Sequence, residues 1–182
     1  MIHSTALDIA NRLQRELAPH CEFAKCIIVG SVARRKLDVH DIELLVMPTQ
    51  EEAQRHSLFG AEGTGKMQHC AGFRDVVARN ATRILIGNPA NGKLIRLWHQ
   101  PPGSAGVQVE LYCATPKNWG YIQFIRTGPK EFTARAMVKL KKLQYTPADG
   151  TIHRFGEEQD CSTEDRIFQM LPWKYVEPQL RK

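Results

Sequence analysis

Apolar residues recur at helical spacing near the start of the chain. Ile9, Leu13 and Leu17 repeat every four residues until Pro19, and Thr5 with Asp8 resembles a capping box, so a first amphipathic helix is predicted there. Cys26 to Val29 reads as a short buried strand that ends in Gly30-Ser31, followed by a short helical turn bearing Arg34 and Arg35. From Asp41 to Val46 the period changes to two, with Ile42, Leu44 and Val46 on one face of a strand and Asp41 and Glu43 on the other. Pro48 to Gly65 is polar and then Gly-rich and reads as helix and loop, whereas Phe73 to Ala81 reads as a helix. Ile84 to Ile86 and Leu94 to Trp98 flank Asn88-Pro89-Ala90-Asn91-Gly92, the pattern of a β-hairpin. Val107, Val109 and Leu111 then alternate with Gln108, Glu110 and Tyr112, so Glu110 projects from a strand opposite its apolar face.

The last third is more helical. Trp119 to Ile125 reads as a short helix, and Gly128-Pro129 marks the start of another, with Phe132, Ala136, Met137, Leu140 and Leu143 as its apolar stripe and Arg135, Lys139 and Lys142 opposite. Pro147 to Gly156 reads as a turn or small hairpin, and Ser162 with Asp165 is the expected cap of a short helix carrying Ile167, Phe168 and Leu171. No internal repeat is present, and the expected class is a mixture of helices and strands, α+β (α/β mixed).

Composition sharpens this picture in three respects. The 182 residues, 42% of them apolar, suit one compact unit or two small subdomains. No apolar stretch approaches the roughly 18 to 20 residues of a membrane span and the start lacks a signal-peptide pattern, so an intracellular (cytoplasmic) protein with no membrane partner is expected. The five cysteines are scattered without a CxxC pair and are read as free thiols, and His56 and His69-Cys70 match no zinc spacing. Between Ala61 and Tyr145 there are 13 Lys/Arg against 4 Asp/Glu, the footprint of a chain that holds a polyanion or, more plainly, of a solvated basic face.

The candidate chemistry lies in GSVARRKLDVHDIELLV, Gly30 to Val46. A Gly-Ser turn at a helix start offers N–H groups and a hydroxyl to a phosphate. Two carboxylates side by side on a strand repel unless a divalent cation lies between them, and such oxygen donors suit Mg²⁺. With Glu110 as a third acid on another strand, two ions roughly 3.5 to 4 Å apart become possible, one activating an oxygen nucleophile and one clamping a triphosphate.

The Gly-Ser, Arg and Asp-x-Glu order in this stretch resembles the signature of the polymerase-beta nucleotidyltransferase superfamily. Glu110 in VQVELYCATPKNWG falls where the third carboxylate is expected, Thr127-Gly128 follows at the spacing seen in X-family DNA polymerases, and CSTEDRIFQMLPWKYVEPQLRK resembles the end of that family's thumb. The chain is similar over nearly its whole length to small standalone phage or viral members. The resemblance implies a palm subdomain over residues 1–120, with a mixed or antiparallel sheet flanked by helices, and a thumb over 121–182. It implies no N-terminal lyase or helix-hairpin-helix domain.

By the same resemblance, Asp41, Glu43 and Glu110 are the catalytic and metal-binding residues, for two Mg²⁺ that Mn²⁺ can replace. Gly30, Ser31, Arg34, Thr127 and Gly128 would bind the nucleotide, and Arg126, Lys130, Arg135, Lys139 and Lys142 the DNA. The implied activity is transfer of dNMP from dNTP to a 3′-hydroxyl of gapped or primer-template DNA, in short-gap repair, by a monomer. The chain departs from the family in carrying Glu at two metal positions, in Ile125-Arg126 where an aromatic pair is usual, and at Lys130, Thr133 and Met137. Two other readings stand beside it. One keeps the chemistry with another acceptor (an RNA end, a protein or a small molecule), and the other is a non-catalytic nucleic-acid-binding module.

Overall fold

The computed structural model describes residues 1–57 and 60–182, with side chains given except at 56, 57 and 60–62. Its organising strand is β2 (Asp41–Pro48), which is apolar enough after Glu43 to be covered on both faces. β1 (Cys21–Ile28) runs antiparallel along one edge of β2, and β7 (Val107–Cys113) runs parallel along the other. β6 (Leu94–His99) and β5 (Arg83–Ile86) continue the mixed five-stranded sheet in the order β1-β2-β7-β6-β5. The β5–β6 hairpin forms as its turn residues predict.

One face of this sheet is apolar because the period-two pattern makes it so. Ile42, Leu44, Val46, Val107, Val109, Leu111, Ile95 and Leu97 pack there with α1 (His3–Leu17) and α3 (Ala71–Asn80). α1 starts two residues before the expected capping Thr5 and has no side-chain cap. The residues α1 buries are Ala6, Ala10, Leu13 and Leu17, with Ile9 only at the margin, because the small alanines let the helix lie close to the sheet. β1 begins earlier than Cys26, and its register shifts between Cys21 and Cys26.

The segment expected to be helix and loop is instead a two-stranded antiparallel hairpin of β3 (Gln50–Ser57) and β4 (Gly60–His69). A polar, Gly-rich sequence without alternation forms this ribbon by cross-strand backbone pairing, joined by side-chain bonds such as that from Thr64 Oγ1 to the Ala53 carbonyl at 2.8 Å and that from the Gly65 N–H to Glu52 Oε1 at 2.7 Å. His69 at its end is buried, donates from Nδ1 to the Pro89 carbonyl at 2.8 Å, and serves packing. The side chain of His56 lies outside the described residues.

The remainder forms a second core. α4 (Trp119–Thr127), α5 (Lys130–Lys142) and α6 (Glu164–Met170) pack with Ile152 of a small sheet, β8 (Tyr145–Ala148), β9 (Thr151–Arg154) and β10 (Glu157–Glu158). Phe124, Phe132 and Phe168 meet at its centre in tilted and edge-to-face contacts. α5 buries Phe132, Ala136 and Leu140 as its stripe predicts, but Pro129 caps it from outside rather than sitting inside the first turn. α6 begins after Thr163, and the expected cap Ser162 bonds Asp160 instead. Trp119 joins Val29, Leu45, Met47 and Tyr112 in a third cluster that ties the two parts together. All five cysteines are free thiols. Among the described residues no helix is long and apolar enough to cross a membrane.

Candidate active site

The face of the sheet opposite α1 and α3 carries the acids. Parallel pairing of β2 with β7 sets Glu43 directly across from Glu110 and Asp41 across from Gln108, so the three carboxylates occupy neighbouring positions. Before them, α2 (Gly30–Ala33) begins right after β1 with Gly30 at φ +66°, the left-handed region that favours glycine. A Cβ there would lie 1.7 Å from Glu43 Oε2, so the turn can press against that carboxylate only as glycine.

An open cleft of about 560 Å³ runs along this corner, lined by Ser31, Arg34, Lys36, His40, Asp41 and Glu43 among others. Ser31 Oγ is buried without a hydrogen-bond partner, and so is Arg34 Nε. Arg34 Nη1 donates to the Thr127 carbonyl at 2.8 Å, joining the turn to the end of α4. Burial lowers the Arg34 pKa, opposed by the nearby Glu43.

The acids differ in how they are held. Burial, then Asp41 and Glu110, pushes Glu43 up to about 7, with Arg126 and Arg34 pulling against them. Asp41 is raised by burial and by Glu110. Glu110 is almost fully buried and has protein partners on both oxygens. Arg96 places Nε and Nη2 each 2.7 Å from its Oε1, Gln108 donates to the same oxygen at 3.0 Å, and the Tyr112 hydroxyl donates to Oε2. Burial, then that bond to Glu110, raises the Tyr112 pKa.

Sequence reasoning missed Arg96, Gln108 and Tyr112. Gln108 and Tyr112 were findable, since they flank Glu110 two residues either way on the same face. Arg96 opposite Glu110 follows only from the β6–β7 register.

The donor set suits a divalent cation in part. Asp41 and Glu43 are hard oxygen donors whose burial and mutual repulsion the nearby Arg126, Arg34 and Arg96 only partly offset, and the unpartnered Ser31 hydroxyl lines the same cleft. Among the described residues no three acid, histidine or cysteine side chains converge closely enough to hold a metal ion, and Glu110 is turned onto its own partners.

The other expected site residues fall in three places. Thr127 and Gly128 are buried at the junction of α4 and α5, with the Thr127 carbonyl on Arg34. Arg126 is exposed and stacks its guanidinium 4.0 Å from the centre of the Tyr112 ring, beside the acids rather than on α5. Lys130, Arg135 and Lys142 are exposed and Lys139 half-exposed on α5, and Arg135 donates to the Lys182 carbonyl.

Compared with known proteins, the chain matches no family model and no curated sequence at a significant level.

Proposed function

We propose that the chain is a nucleotidyltransferase of two parts, a palm that carries the acids and a thumb built on α5, which adds a dNMP from a dNTP to a 3′-hydroxyl of gapped DNA. The observation that carries this reading is the in-register meeting of Glu43 with Glu110, two residues from Asp41, beside a glycine turn with a free hydroxyl. In this reading Ser31, the N–H groups at the start of α2 and Arg34 receive the triphosphate, since groups that aim hydrogen bonds at phosphate oxygens orient it without covalent chemistry.

Asp41 and Glu43 would hold Mg²⁺ or Mn²⁺, with Glu110 joining when it leaves Arg96. Bound there, two such ions would favour ionisation of the attacking hydroxyl and neutralise the departing pyrophosphate. Arg96, Gln108 and Tyr112 fix the orientation of Glu110, and Arg126 stands where a backbone phosphate near the acids would meet it. The exposed cations of α5 suit the DNA duplex by charge.

Incorporation of labelled dNTP on one-nucleotide-gapped duplex, with Mg²⁺ or Mn²⁺, tests the reading. Activity is expected in the wild-type chain and loss to background in Asp41→Ala and Glu110→Ala. Wild-type activity that survives in both variants would overturn it.

A further inference from the structure

The sheet has a second polar corner, on the face that bears α1 and α3, away from the acids. There a cleft of about 420 Å³, within the usual range for small-molecule sites of about 300–1,000 Å³, opens between α1, the end of α3 and the end of β6. Arg12, Arg79, Asn80, Thr82, His99 and Gln100 contribute to its lining.

His99 is almost fully buried, although its strand position is one that otherwise carries Ile95 and Leu97 into the apolar core. Its ring is fixed from both sides. Nδ1 lies 2.7 Å from the Asn80 carbonyl, which can only accept, so Nδ1 bears the proton. Nε2 lies 2.5 Å from Arg12 Nη2, and a guanidinium can only donate, so Nε2 offers its lone pair. A buried imidazole is thereby used to aim an arginine.

That arginine has no acid of its own. Among the described residues Arg12 makes no salt bridge, and its Nε is buried without a partner. Arg79 reaches Glu16 only at 3.5 Å, and Glu16 also accepts from Asn80 Nδ2 at 2.8 Å. Glu16 thus meets Arg79 alone of the two arginines, and Arg12 brings a positive charge with no acid partner to a walled, hydrogen-bonding cleft. Fixed guanidinium donors match the oxygens of a phosphate, by paired hydrogen bonds that a lysine cannot make.

The geometry points to a phosphomonoester-binding site at this corner, with Arg12 as its principal ligand, Arg79 as its second cation and His99 as the residue that positions Arg12. The volume exceeds what a bare phosphate needs, and Thr82 and Gln100 can meet the hydroxyls of an attached sugar. The ligand is a nucleoside 5′-monophosphate or the 5′-phosphate end of a polynucleotide strand, which share this chemistry. The site is separate from the carboxylates, and the inference holds whether or not they transfer nucleotides.

The full chain is titrated with inorganic phosphate, with dTMP and with a short oligonucleotide that carries either a 5′-phosphate or a 5′-hydroxyl. The arginine Nε–H resonances are followed by NMR and binding by calorimetry. A saturable shift of the Arg12 resonance is expected, with tighter binding of the esters than of inorganic phosphate. Arg12→Gln and Arg79→Gln are each expected to weaken it at least tenfold. Arg79 is largely exposed, so its variant keeps the test decisive even if Arg12→Gln folds poorly. Binding should survive Arg34→Gln.

A preference for the 5′-phosphorylated oligonucleotide over dTMP would assign the strand end, and equal binding the free nucleotide. The proposal is overturned by the absence of a saturable shift or by no gain from the ester. It is also overturned if binding survives Arg79→Gln but is lost in Arg34→Gln, which would place the phosphate at the carboxylate side.

Discussion

At the scale of single residues, the three acids at the centre of the site are not equivalent. Glu110 has a guanidinium, an amide and a phenol on its two oxygens, and a buried charge is tolerable in that company. Glu43 faces like charge across the strand pair, and its carboxyl is pushed from an ordinary 4.5 to about 7. Because the native carboxyl keeps its proton to higher pH than the unfolded one, this group favours the fold fully below pH 4.5. That contribution is lost between 4.5 and 7. Asp41, also raised, tilts stability the same way. The full shift would correspond to on the order of 3 kcal/mol, and screening in the open cleft reduces the expected loss to about 1–2 kcal/mol. Urea unfolding at pH 4.5 and pH 7.5 without divalent ions should show this fall in the wild-type chain, and most of it should vanish in Glu43→Gln. Added Mn²⁺ should restore wild-type stability at the higher pH and do less for the variant. Equal pH slopes in the two proteins would contradict the assignment.

At the scale of elements, Asp41 and Glu43 on one strand face, and Glu110 on the polar side of its own strand, were legible because alternation is local, whereas the convergence of the three was only implied by the family resemblance. Their meeting across two strands is not local, since it requires that β7 lie beside β2 in the register that sets Glu43 opposite Glu110, which alternation does not fix. Arg96 was illegible for a related reason. The connection of residues 100–106 between β6 and β7 is not a tight turn, so sequence does not set the register that places Arg96 opposite Glu110. The β3–β4 hairpin was misread because neither of its strands alternates apolar with polar residues, so backbone pairing and a few cross-strand side-chain bonds hold it without a periodic signal. Helix starts were misplaced where a Ser or Thr with a suitable acid was expected to cap, since α1 and α6 begin without any side-chain cap bond. α2 makes the most exacting local demand. Gly30→Ala adds both a left-handed backbone strain of about 1–2 kcal/mol and a methyl group 1.7 Å from Glu43 Oε2. It should cost about 2–3 kcal/mol in denaturant unfolding and displace Glu43. Gly65→Ala has a similar φ of +70° with nothing within 4 Å, so it measures the backbone strain alone. If the two substitutions cost the same, the close approach of Gly30 to Glu43 is not a constraint.

At the scale of the whole molecule, two cores are joined by a narrow seam. The sheet packs on α1 and α3, the C-terminal helices pack on one another, and the seam includes the Trp119 cluster, the Arg34–Thr127 bond and the stacking of Arg126 on Tyr112. The seam lies next to the acids, so α5 carries its exposed cations on a body that meets the sheet at the candidate site. The 13 Lys/Arg against 4 Asp/Glu between Ala61 and Tyr145 are therefore not one uniform basic face. Arg126 lies over Tyr112 near the acids, Arg96 is bound to Glu110, Arg74 is paired with Glu51, and Lys139 and Lys142 on α5 have no acid partner among the described residues. If α5 tracks a DNA backbone, those two lysines release counterions on binding, while Arg135, which donates to the Lys182 carbonyl, contributes less. The double variant Lys139→Gln/Lys142→Gln should weaken binding to gapped duplexes of any sequence to the same degree. It should also make the slope of log affinity against log salt shallower by about 2, with Arg135→Gln changing it by less than about 1. Fluorescence anisotropy across a range of NaCl concentrations measures both quantities. An unchanged slope in the double variant would make this face of α5 simply the solvated side of an amphipathic helix and move the DNA-binding surface elsewhere.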